Sequence, residues 1–323
     1  MSRTITYQIP IEYSGRKISE FLHSQGFSKQ LLTAMRHTND CIFLNGESVH
    51  MNRRFSIAPC MTDFLTDDLT VIISETGQPS DIIPVCLPFE IVYEDEDLMV
   101  VNKPSGMPIH PSKSNPDNAL ANALYDLHLK QHSNEPFIFR CVNRLDKDTS
   151  GLTIIAKHPL SAGILYEAVK SRRVERTYYC LVFEYDANSN PLPESGTIAL
   201  PISRDEATDH LHSIRRYIDE ENGAPAITHY QVLSRNNGIA LVEFHLETGR
   251  THQIRVHMSA IGFPLLGDRI YHPDDHSLPR QALHAGRLDF YHPINGNLLS
   301  FSVDFPDDMA TVMANADISM QNK

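Results

Sequence analysis

Apolar positions along the first quarter of the chain recur first at helical and then at strand spacing. Ile18, Phe21 and Leu22 fall at i, i+3 and i+4 and are followed by Gly26, which predicts a short helix ended by a glycine. Ser28 precedes KQLLTAMRHT, in which Leu31, Leu32 and Met35 share one face, so a second helix is predicted with Ser28 as its N-cap. CIFLNGESV reads as two short strands around an Asn45-Gly46 turn, and DDLTVIIS as a further strand. Residues 1–75 are therefore expected to form a small separate α+β unit. Residues 76–88 (TGQPSDIIPVCLP) carry three prolines, a glycine and few charges, which predicts a linker crossed by few contacts.

Beyond the linker the pattern changes to hairpins separated by occasional helices. EIVYEDEDLMVVNKP predicts two strands around an acidic turn. HPLSAGILYEAVKSRR predicts a helix that leads into the strand VERTYYCLVFEY. THYQVLSRNNGIALVEFHLETG predicts a long hairpin turning at Asn237-Gly238, and GRLDFYHPINGNLLSFSVDF a last one turning at Asn295-Gly296. Between them THQIRVHMSAIG predicts a helix closed by Gly262, with Pro264 just beyond. Residues 89–305 thus predict a larger α+β domain on a mainly antiparallel sheet. Residues 306–323 show no strand pattern and read as a tail, at most a frayed helix.

Composition narrows the class. The 323 residues are 41% hydrophobic, with no apolar run near the roughly 18 residues of a membrane helix and no signal-like start. A cytoplasmic protein is expected. The five cysteines, Cys41, Cys60, Cys86, Cys141 and Cys180, include no C-x-x-C pair, which fits a reducing compartment. A net charge of −12 argues against nonspecific nucleic-acid binding but leaves room for a local basic groove, for which Arg53-Arg54, Arg172-Arg173 and Arg215-Arg216 are candidates. Phosphate-binding, dinucleotide-binding, nucleophile-elbow and zincin motifs are missing. The 17 histidines form no metal-ligand pattern: His210 and His212 are isolated from carboxylates, and His252 and His257 fall on different faces of one helix.

Three segments crowd chemically capable groups together. VNRLDKDTSGL (Val142 to Leu152) sets Arg144 and Asp146 among strand-like residues. RTYYCLVF opens a strand with Arg176, Thr177 and Tyr178. TGRTHQIRVHMSAIGFPLLGD embeds Arg255 in a helix. Taken singly, Asp146 reads as a turn cap, Tyr178 as core and Arg255 as a surface ion-pair member. With VNKPSGMPIHPS (Val101 to Ser112) and RQALHAGRLDFYHP, however, these segments resemble, in order, the five motifs of the RluA-type pseudouridine synthases of the ribosomal large subunit. The resemblance spans about residues 89–305. Residues 1–75, through Ser28-Lys29 on a helix and then IFLNGESV, more loosely resemble the S-four RNA-binding module.

The resemblance implies the pseudouridine synthase fold and isomerisation of uridine to pseudouridine in a structured RNA, ribosomal rather than transfer RNA, by a monomer needing no cofactor. It implies that Asp146 is the catalytic carboxylate, that Arg255 is its cationic partner and that Tyr178 stacks on the uracil. It further implies that Arg144 fills the space left by the extruded base and that Lys29 contacts RNA. One departure is Asn143, where the family commonly has histidine. Two rival readings remain at this stage. One is a non-catalytic RNA-binding or ribosome-assembly factor on the same scaffold. The other is a glycosidase-like hydrolase, which requires a second acid such as Asp148 beside Asp146.

Overall fold

The structure is a computed structural model that describes residues 2–320 except 39, 58–66, 76–80, 133–134, 185–189 and 205–214. Cys60, His210, His212 and the first five residues of the expected linker lie outside the described residues.

The first sheet is built from β1 (Ser2–Ile9), β2 (Ile42–Leu44), β3 (Glu47–Ser48) and β4 (Asp67–Ser74), in the order β1-β4-β2-β3. Alternation decides which face is buried: Leu69, Val71 and Ile73 of β4 point inward beside Ile5 and Ile9 of β1. Two helices cover that face, α1 (Ile18–Ser24) through Ile18, Phe21 and Leu22, and α2 (Lys29–Arg36) through Leu32 and Met35. Ser28 caps α2 as expected, its Oγ accepting from the Leu31 N–H at 3.1 Å. Asn45 and Gly46 both take the positive φ angles that their hairpin turn requires. Strand β1 was not among the predicted elements, although its Ile5, Tyr7 and Ile9 alternate.

The second sheet has nine strands. They are β5 (Glu90–Glu94), β6 (Leu98–Lys103), β7 (Ser150–Ala156), β8 (Glu175–Phe183), β9 (Ser195–Ile198), β12 (Thr228–Asn236), β13 (Ile239–Leu246), β14 (Leu283–Tyr291) and β15 (Leu298–Ser302). The order is β5-β6-β7-β14-β8-β13-β12-β9, with β15 pairing β14. Only the β7–β14 pair is parallel among the described residues. A separate ribbon joins β10 (Ile202–Arg204) to β11 (Arg216–Ile218). Helices α3 (Leu120–Gln131), α4 (Pro159–Lys170) and α5 (Gln253–Ala260) flank the large sheet, and α6 (Asp307–Asn315) follows it. This is the mixed, mainly antiparallel α+β fold expected from the sequence.

Two expectations about the ends need correcting. Asp307–Asn315 form α6, whose Met309 and Met313 are buried against Leu181 and Leu241 of the sheet, so this helix is an anchored part of the core. The boundary at residues 76–88 is also crossed by many contacts. Leu160 of α4 belongs to the core of the first unit, and Ile164 and Ile294 pack against it. Gly26, at φ 89°, lies so close to α4 that a Cβ would meet Ile164 Cγ1 at 2.6 Å. Arg3 of β1 pairs with Asp97 at 2.7 Å, and Glu75 with Arg140 at 2.8 Å. Proline content reports chain stiffness; it does not report how much apolar surface the flanking units bury against each other.

Candidate active site

Asp146 lies in the loop that runs from Cys141 into β7. That loop is fixed from three sides by buried polar groups. Asn143 replaces missing ladder bonds: its Nδ2 donates to Leu152 O at 3.2 Å and its Oδ1 accepts from Ile154 N at 2.8 Å. Both functions of the amide are thus spent on β7, a positional role that needs adjacent donor and acceptor atoms. Lys103, fully buried at the end of β6, donates Nζ to Pro104 O and Met107 O, both at 2.8 Å, and to Lys147 O at 3.0 Å. Burial pushes the Lys103 ammonium down to about 7. Arg280 holds the next carbonyl, Asp148 O, at 3.1 Å, and is itself clamped by Asp308 of α6 at 2.7 Å. The Asn143→Ala variant is expected to lose about 1–3 kcal/mol for each of the two buried backbone groups left unpaired, read as a fall in urea midpoint without change in m-value.

The second wall comes from the turn between β13 and α5. Gln253, buried, is saturated: its Oε1 accepts from Thr248 Oγ1 at 2.8 Å and Arg250 N at 3.0 Å, while its Nε2 donates to Ile227 O and Thr228 Oγ1 at 3.0 Å each. This bends the chain through His252, which sits at φ 58°, a left-handed backbone uncommon for a residue with a Cβ. Arg255, one turn into α5, is 4% exposed and faces Asp146, with Nη1 3.7 Å from Oδ2. Its closer partner is Asp268, reached by two parallel bonds of 2.7 Å from Nε and Nη2. The guanidinium also lies over the Tyr271 ring, 5.2 Å from its centroid. Sequence reasoning missed both Asp268 and Tyr271. Both follow α5 in a loop without periodicity; Asp268 ends the TGRTHQIRVHMSAIGFPLLGD motif, but nothing in that motif marked it as the partner of Arg255.

These walls and Tyr178 of β8 enclose a cleft of about 530 Å³ lined by Arg144, Asp146, Arg176, Tyr178 and His252 and, where it meets solvent, by the exposed Lys170 and Arg250. Asp146 keeps a quarter of its side chain open to this space. Burial pushes its carboxyl up; Arg255 opposes the shift, Asp268 adds to it, and burial prevails. The resemblance supplied Arg255 as the cationic partner of Asp146; the second carboxylate, Asp268, was unforeseen. Burial likewise pushes the Tyr178 phenol up, against the pull of Arg176. The structure therefore brings Asp146, Tyr178, Arg255 and Arg144 together. Lys29 is exposed at the start of α2 and does not line the cleft.

Asp148, considered as a second acid, directs its charge toward Lys103 and does not line the main cleft. The carboxylate that does approach Asp146 is Asp268, which is wholly buried and bound on both oxygens by Arg255. Among the described residues one group of possible metal ligands, Asp95, Asp97 and His292, lies within 4.8 Å. Its oxygens are already taken. Asp97 binds Arg3 and His158, and Asp95 accepts from the Tyr93 hydroxyl and from two backbone N–H groups. This cluster fastens β1 to the large domain.

The sequence pattern of the family described as RNA pseudouridylate synthase matches residues 97–260. The RNA pseudouridine synthase YlyB of Bacillus subtilis, called uncharacterized, is 38% identical over 277 residues, covering 85% of each chain. The ribosomal large subunit pseudouridine synthase D of Nitrosomonas europaea is 38% identical over 256 residues, 76% of this chain and 71% of that one. Among solved structures, human RNA pseudouridylate synthase domain containing 4 superposes with a TM-score of 0.57 at 25% identity, over 72% of this chain and 94% of that one.

Proposed function

The chain belongs to the RNA pseudouridylate synthase family, and from that premise we propose that Asp146 carries out the isomerisation of a uridine in ribosomal RNA. The reaction detaches uracil from ribose at a ring nitrogen, turns the ring and rejoins it through a ring carbon. Asp146, as the ionised carboxylate, either attacks the anomeric carbon or removes the neighbouring ribose proton. Arg255 keeps enough of it ionised once RNA seals the cleft. Tyr178 offers its ring as the stacking face, worth on the order of 1–3 kcal/mol. Arg144 takes the place of the extruded base, whose unstacking costs a few kcal/mol. The observation that carries this reading is that Asp146 and Tyr178, from separate segments, line one cleft of nucleoside size, with Arg255 of a third segment set behind Asp146 at 3.7 Å. The same geometry disfavours a paired-carboxylate hydrolase, because Asp268 is locked to Arg255 and cannot serve as a proton donor.

The ribosomal substrate is supported by the large-subunit synthases among the relatives. Residues 1–75, with Lys29, act as the accessory RNA-binding module, and no helix of the described residues is long and apolar enough to cross a membrane. The protein works in the cytoplasm as a monomer.

Release of tritium from ribosomal RNA labelled at the uracil ring carbon tests the activity; RNA binding without release would reduce the protein to a binding factor. The cations at the mouth make a separate prediction. Lys170→Ala and Arg250→Ala will each raise KM and lower the slope of log affinity against log salt by about 0.7–0.9, with the saturated single-turnover rate unchanged. An unchanged slope in both would remove the mouth from the RNA path.

A further inference from the structure

His252 faces Asp146, and its surroundings dictate its hydrogen-bond polarity. Its Nδ1 lies 3.0 Å from the Tyr271 hydroxyl. That hydroxyl oxygen already accepts the backbone N–H of Arg216 at 2.9 Å. The phenol hydrogen is therefore free to donate, and His252 Nδ1 is the acceptor in reach. An imidazole that accepts at Nδ1 carries its proton on Nε2. Nε2 points to the other side, 3.9 Å from Asp146 Oδ2. The ring is 8% exposed and lines the cleft, and its backbone is held left-handed to put it there. Strain of this kind is retained where the surroundings demand a particular side-chain position.

We propose that Tyr271 and His252 form a fixed relay that presents a neutral Nε2–H donor to the Asp146 carboxylate, making His252 a positioning residue for the reaction. The proposal rests on Asp146 being the reacting group. A gap of 3.9 Å closes to hydrogen-bond length with about 1 Å of movement, the tightening expected when substrate shuts a cleft. The arrangement solves a specific problem. Asp146 already faces Arg255, Lys103, Arg216, Asp268 and the Tyr178 and Tyr271 phenols, and a further full cation would trap its charge too deeply to react. A neutral donor orients the carboxylate without that penalty. Burial and the nearby Arg255 hold His252 at about 3, so the donor stays neutral through the working pH range.

The test is single-turnover isomerisation of uridine-containing ribosomal RNA from pH 5 to 9 by the full-length chain. His252→Ala should slow the reaction by about 10–100-fold and move the acidic limb to higher pH, because the ionised carboxylate loses a donor. His252→Gln, which restores an N–H at similar reach, should recover most of the rate. Tyr271→Phe keeps the ring under Arg255 and removes only the hydroxyl. It should slow the wild type several-fold yet cost nothing further in the His252→Ala background. An unmoved acidic limb in His252→Ala, no rescue by Gln, or additive losses in the double variant would overturn the relay. Asp146→Asn, run alongside, separates the two assignments: if it is inactive while His252→Ala behaves as wild type, only the relay falls.

Discussion

Asp146→Asn will abolish turnover, by about 10⁴-fold or more, and the variant will melt higher than the wild type. Loss of activity follows from chemistry: the amide is nearly isosteric but is neither a base nor a useful nucleophile. The gain in stability follows from the charge balance around the site. Arg255 and Lys103 oppose burial at Asp146, Asp268 adds to it, and His252 is neutral. Burial prevails, so folding raises the Asp146 carboxyl and its ionised form carries a net cost. A carboxyl raised by folding binds more protons in the native than in the unfolded state between its two pKa values, so stability falls as pH rises through that window. Above the window the cost persists at full size. Removing the charge removes the cost, giving a gain of about 1 kcal/mol, or roughly 1–2 °C for a chain of this length. The gain should vanish at pH values below the unfolded carboxyl range. Turnover within tenfold of wild type, measured by tritium release, would end the assignment of Asp146.

Arg255→Met will have the second largest effect, and it will separate stability from catalysis. The side chain leaves Asp268 buried with no cation and Asp146 with less opposition to burial, a loss of about 3–5 kcal/mol. The acidic limb of the pH–rate profile will move upward, and the rate at neutral pH will fall by about 10²–10³-fold, the scale of losing a charged group in a water-excluded site. Tyr178→Phe keeps its stacking face and will lose less. If Arg255→Met folds poorly, Arg255→Met combined with Asp268→Asn removes both members of the close pair. Stability should largely return, but the limb should stay displaced, because the pull of Arg255 on Asp146 exceeds the push of Asp268. Arg255→Lys should fall between, since an ammonium cannot reproduce two parallel bonds to Asp268. A limb at its wild-type position in the double variant would show that Arg255 serves the fold alone.

What could be read from the sequence, and what could not, divides along physical lines. The hairpins at Asn45-Gly46 and Asn237-Gly238, the Ser28 cap and the Gly262 stop were legible because each depends on backbone preferences within a few residues. Helix α3, with Leu120, Ala123, Leu124 and Leu127 at helical spacing, was equally local and was overlooked. Strands β9, β10 and β11 are three or four residues long, too short to show a period. The residues brought into the cleft were foreseen through resemblance, but the charge balance was not. Asp268 and Tyr271 lie in an irregular loop, and their pairing with Arg255 and His252 depends on tertiary return. The roles of Lys103 and Arg280 were invisible for a related reason: both donate to backbone carbonyls, and a carbonyl carries no sequence identity.

The position of β14 has a consequence for how this enzyme comes into being. The strand occupies residues 283–291, yet it sits between β7 and β8, which do not pair with each other. The Ser150–His284 hydrogen bond spans 134 residues. Contacts of that separation form late, because the loop entropy must be overcome before any bond rewards it. Until β14 inserts, β5–β7 with Asp146 and β8, β13, β12 and β9 with Tyr178 are two half-sheets with exposed edges and no shared cleft. A chain emerging from the ribosome would therefore carry most of its motifs without any activity, and would gain activity in one step as β14 joins the halves. In refolding from urea, activity should return with the slowest phase that buries β14, and in no earlier one. The same lateness marks the free edges of β7 and β8 as the places where the unfinished chain needs protection from aggregation.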